Sequence, residues 1–118
     1  MPWWGRRRRP HTPAPVAVPE LTAEDRAEVA AWVADEVARL RALPYEQLLA
    51  LDGQELHCER LVPSGAYVLR ETGAYIDDDR ARTVRVYVDA RQPQEGYAPP
   101  SVAKDDFIVA PDGSFVGE

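Results

Sequence analysis

The apolar residues of this 118-residue chain change their spacing at Gly53, and that change limits the fold more than any other feature. Before it, Val29, Val33, Val37 and Leu40 recur at intervals of four, four and three, joined by Trp32 and Leu43. One face of an α-helix repeats every three to four residues, so the pattern predicts an amphipathic helix of about six turns ending before Pro44. After Gly53 the period is two. Thr83-Val84-Arg85-Val86-Tyr87-Val88-Asp89 sets three valines against polar or amphipathic neighbours, the alternation of a half-buried strand. A helical first half followed by an extended second half is an α+β chain.

Local signals divide it further. Thr22 can cap the long helix, and Asp25 three residues later completes a capping box. Three valines lower the intrinsic propensity of this helix, so packing must hold it. Pro44 to Leu51 reads as a short second helix with Pro44 in its first turn and Asp52-Gly53 as the stop. Gln54 to Val62 and Ala66 to Ile76 read as strands joined by a Pro63-Ser64-Gly65 turn. The alternation falters at Gly73, where a bulge is expected. Asp77-Asp78-Asp79 turns into the Val84 strand, Gln92 to Lys104 is a loop, and Asp106 to Ala110 turns through Pro111-Asp112-Gly113 into Ser114 to Val116. Short turns imply antiparallel neighbours. The expectation is a four- or five-stranded antiparallel meander with the long helix and the short one packed on one face, a two-layer domain over residues 20–118.

Residues 1–19 differ in kind. They hold five of the eleven prolines, four arginines and no acid, and they show neither period, so they are expected to be a disordered basic arm. The arm carries +4, whereas the other 99 residues carry 10 basic and 20 acidic groups, for −10. An acidic body repels phosphate and anionic lipid, so contact with nucleic acid or membrane is expected only through the arm. Trp3, Trp4, Arg6, Arg7, Arg8 and Arg9 are the candidates for it, guanidinium groups and indoles being able to hold phosphate, stack on bases or sit at a membrane surface. Four charges give a weak, salt-sensitive attraction that the acidic body opposes, so a solvated leader with no specific role is the leading reading of the arm. The prolines after the arginines interrupt any secretion signal, and no apolar run reaches the roughly 18 residues a membrane helix needs. Cys58 is the only cysteine, which excludes an internal disulfide and suits a reducing compartment. A cytoplasmic protein is expected.

Chemistry-bearing patterns are sparse. His57-Cys58-Glu59 matches half of a zinc-deaminase signature whose cysteine pair this chain cannot supply. Asp77-Asp78-Asp79 lacks the alternate ligands, glycine and final glutamate of an EF-hand loop. Glu55, His57 and Glu59 would share one strand face, about 6–7 Å between successive α-carbons. Two carboxylates and an imidazole on one face can ligate a metal or tune a base, or can simply be a solvated polar face opposite Leu56 and Cys58, which are expected to point to the core. Trp32 is expected at the core edge. If Tyr87 and Arg85 share the outer sheet face with Thr83, that face offers a partner surface. With no phosphate loop, nucleophile elbow or Cys–His pair, no catalytic residue, metal or cofactor is assigned. The expected function is a non-catalytic accessory or protein-binding domain whose partner is a protein, basic if it complements the acidic body. The alternatives are a small-ligand or enzymatic site between helix and sheet, and an arm that tethers the domain to an anionic surface.

Overall fold

A computed structural model describes residues 19–93 and 99–118. Trp3, Trp4 and Arg6 to Arg9, with the rest of the expected arm up to residue 18, lie outside the described residues. The chain runs α1 (Ala23–Arg41), α2 (Tyr45–Leu49), β1 (Glu55–Leu61), β2 (Tyr67–Asp78), β3 (Thr83–Arg91), β4 (Ala103–Val109) and β5 (Phe115–Val116). The five strands pair antiparallel in the order β1-β2-β3-β4-β5. One long helix and one short helix pack on this sheet, so the two-layer α+β meander expected from the sequence is the fold.

The first helix starts where its sequence says. The Asp25 backbone N–H donates to the Thr22 hydroxyl oxygen and the Thr22 N–H donates to the Asp25 carboxylate, both at 3.0 Å. Two of the donors that every helix start leaves open are thereby met. Asp25 does more. It is fully buried, and its other contacts are the backbone N–H and hydroxyl of Ser64 at 3.1 and 2.5 Å, at the tip of the β1–β2 hairpin. Ser64 holds the Asp25 carboxyl below its ordinary value of 3.8, with the Thr22 bonds adding to the effect against the opposing cost of burial.

Val29, Val33, Val37 and Leu40 form the buried face of α1, which lies over β3 and β4. Opposite them, Val84, Val86, Val88, Phe107 and Val109 are buried. Each such side chain contributes roughly 1.5–3 kcal/mol on leaving water, which outweighs the weak helix propensity of valine. Leu48 of α2 and Leu21 before α1 close the core.

Four local expectations are corrected. Pro44 caps α2 from outside, with extended backbone, and is not within its first turn. The register runs unbroken through Gly73, and the irregularity falls between Ile76 and Asp78. Gly73 is small for another reason: a β-carbon there would stand 2.3 Å from the Tyr87 hydroxyl oxygen, because the Tyr87 ring lies across β2. Pairing with β3 extends β4 back to Ala103 through the poor strand formers Lys104, Asp105 and Asp106. Leu56 and Cys58 are exposed rather than in the core. They point to the helix side, but α1 sits over β3 and β4, and Arg60 and Arg70 fill the margin by stacking on Trp32, 5.4 and 4.5 Å from its ring centre. Among the described residues no helix is long and apolar enough to cross a membrane.

Candidate functional site

With both helices on one face, the other face of the sheet is bare among the described residues. Strand alternation decides what it displays. Val84, Val86 and Val88 face the helix, so Arg85, Tyr87, Asp89 and Arg91 face away, and the register carries that choice across every strand. The outward residues form rows. Glu55, Gly73, Tyr87 and Asp106 make one; His57, Glu71, Asp89 and Lys104 the next; Glu59, Leu69 and Arg91 a third. On the other side of the Gly73 row lie Tyr75, Arg85, Ile108 and Val116. Arg85 and Tyr87 are therefore outward as expected, whereas Thr83, paired with Asp78 past the irregularity in β2, is buried.

Large side chains stand open here. Tyr67 and Tyr75 are 43% and 47% exposed, Leu61 is 63% exposed and Val116 46%. Tyr75 leans on Tyr87, ring centres 6.3 Å apart. Between β3 and β4 a groove of about 260 Å³ is lined by Tyr87, Asp89, Lys104 and Asp106.

The charges are organised rather than scattered. Arg85 donates to Asp106 at 2.7 Å and to Asp77 at 3.1 Å, bonds that raise its pKa further above the usual arginine value. Arg91 donates to Asp89 at 2.7 Å and stands 3.6 Å from Glu71 Oε2. Glu71 Oε1 is 3.4 Å from His57 Nε2, and Glu55 Oε2 is 3.8 Å from the same nitrogen. Burial pushes the Tyr87 phenol up, and the carboxylates of Glu71 and Glu55 push it the same way, which marks the three as neighbours.

Of the residues the sequence singled out, Glu55 and His57 do come together. Glu59 does not join them: it accepts the Tyr67 hydroxyl, a bond that raises the Tyr67 pKa. The second carboxylate at His57 is Glu71, from the adjacent strand, and the sequence reading missed it. A signal existed. The predicted turn Pro63-Ser64-Gly65 is symmetric about Ser64, and such a hairpin sets residues equally distant from Ser64 opposite one another. His57 and Glu71 are such a pair, as are Leu61 and Tyr67. The space between helix and sheet is taken by core side chains, and His57 lies on the far face from it.

No protein-family model matches this chain, and neither does any curated protein or solved structure.

Proposed function

We propose that this is a non-catalytic protein-binding domain of the cytoplasm whose bare sheet face receives a partner of basic character. The observation that carries it is that face: exposed tyrosines and aliphatic residues on a rigid sheet, with no element of the described chain laid over them. Tyrosine supplies large contact area with few rotors and a polar tip, which is why it concentrates at interfaces. The face sets six carboxylates (Glu55, Glu59, Glu71, Asp77, Asp89 and Asp106) against Arg85, Arg91 and Lys104, so a basic surface complements it. A single cysteine supports a reducing compartment.

The test compares the full chain with a Tyr67→Ala/Tyr75→Ala double variant and with Asp35→Ala on the solvent side of α1, each immobilised and exposed to cell extract at low and high salt. A partner of this face is retained by the full chain and by Asp35→Ala, weakens with salt, and loses roughly tenfold or more in affinity on the tyrosine variant. Equal retention by the tyrosine variant, or no enriched protein at either salt, overturns the proposal.

A further inference from the structure

We propose that Glu55, His57 and Glu71 form a binding site for one divalent transition-metal ion of the zinc type, on the bare sheet face. The inference does not depend on that face receiving a protein. Its basis is where the hairpin puts three donor atoms. His57 and Glu71 are directly opposed across β1 and β2, and Glu55 is two residues from His57 on the same side of β1. One ligand atom from each of the three lies within 4.8 Å of the other two.

The spacing fits a small tetrahedral ion. Bonds of about 2.0–2.2 Å to nitrogen and oxygen place neighbouring donors about 3.3–3.6 Å apart. The distance from His57 Nε2 to Glu71 Oε1 is 3.4 Å, inside that range, and that to Glu55 Oε2 is 3.8 Å, just beyond it. Glu55 has a 62% exposed side chain, so rotation about its own bonds closes the remaining gap without moving either strand.

Glu71 also has a cation beside it. One of its oxygens faces His57; the other faces Arg91, which is itself fixed by Asp89. A cation at ion-pair distance from the second oxygen of a ligating carboxylate is one form of the outer-shell support that metal sites carry. The Tyr87 ring, able to lie across β2 because position 73 is glycine, walls the cluster on the Glu55 side. An imidazole with two carboxylates selects zinc-type ions over calcium or magnesium, which take oxygen alone. Three protein donors leave the fourth position to water or to an incoming group.

The test uses the full chain carrying His11→Ala, so that His57 is its only histidine, stripped of metal and titrated with Zn²⁺ by calorimetry. One equivalent is expected to bind. His57→Ala and Glu71→Gln should each lower the affinity by roughly tenfold or more, while Glu59→Gln and Cys58→Ser leave it within about twofold. The His57 ring signals in the nuclear magnetic resonance spectrum should shift on adding that equivalent, a measurement that needs no further substitution. Unshifted ring signals overturn the proposal, as does zinc binding that survives loss of His57 or that depends equally on Glu59 or Cys58.

Discussion

Gly73→Ala is the smallest change that tests how the bare face is assembled. The glycine has no positive φ, so alanine meets no backbone strain there, and on conformational entropy alone it would stabilise a strand by roughly 0.5–1 kcal/mol. Packing acts the other way. The new β-carbon would stand 2.3, 2.4 and 2.8 Å from the hydroxyl oxygen, Cζ and Cε1 of Tyr87, and the ring must leave its place across β2. Overpacking of this kind costs about 1–3 kcal/mol, and the ring also gives up its contact with Tyr75. The net expectation is a loss of about 1–2 kcal/mol in urea unfolding, with an unchanged m-value. The informative comparison is the same substitution in a Tyr87→Ala background, where nothing opposes the methyl group. There Gly73→Ala should be neutral or stabilising by about 0.5 kcal/mol, so the double-mutant cycle shows a coupling of about 1–2.5 kcal/mol. A loss of equal size in both backgrounds would refute the account, because the cost would then lie in the strand itself and not in the ring above it.

Two further outcomes follow from groups beyond that face. The Asp25 carboxyl is held below 3.8 chiefly by Ser64, so its contribution to stability is complete above the unfolded-state value and is lost as pH falls through the lower folded value. Ser64→Ala should therefore lower the urea midpoint near neutral pH, and the gap from the parent should shrink well below pH 3.8; an equal gap at both pH values would count against the buried carboxylate as its source. Cys58 is exposed, so in the folded protein it should react with an aromatic disulfide reagent at once and in one step, whereas a thiol that waited for denaturant would restore the core position the alternation suggests.

Most of the fold was legible because its signals are local. The α1 start follows from Thr22 and Asp25, the stripe from Val29 to Leu40 names its buried face, and Pro111-Asp112-Gly113 turns as its residues demand, Gly113 taking φ 88° and Asp112 accepting from Ser114. What failed is of another kind. Alternation tells which residues of a strand share a side; it does not tell whether anything covers that side. Leu56 and Cys58 pair with Thr72 and Arg70 and point toward the helix layer, yet α1 lies over β3 and β4, so β1 remains exposed along its whole length. The polar trio does share one strand face, but its side chains do not all converge, for a related reason. Glu55 and His57 are neighbours by strand period, but Glu59, equally spaced from His57, is drawn off by Tyr67, while Glu71 is fourteen residues away and reaches His57 only through the hairpin. Arg85 and Tyr87 face outward because Val84, Val86 and Val88, which alternate with them, face the helix, whereas Thr83, grouped with them by the same alternation, is buried.

The bare face thus depends on a register, and the register has an anchor on the far side of the sheet. A slip of one residue in the β1–β2 pairing would send His57 to the helix side and separate it from Glu71. Turn geometry resists that slip: Val62 and Ala66 close the loop, and Gly65 adopts the positive φ of 89° that the three-residue turn requires. β1 is an edge strand with no buried residue, so the core does little to hold its pairing. The buried Asp25 supplies what the core does not. By accepting both the N–H and the hydroxyl of Ser64, it fixes the centre of the hairpin to the first turn of α1, and every cross-strand pair is counted from that centre. The capping carboxylate that starts the long helix therefore also helps align His57 with Glu71 on the opposite face, through one turn and five residues of strand on either side.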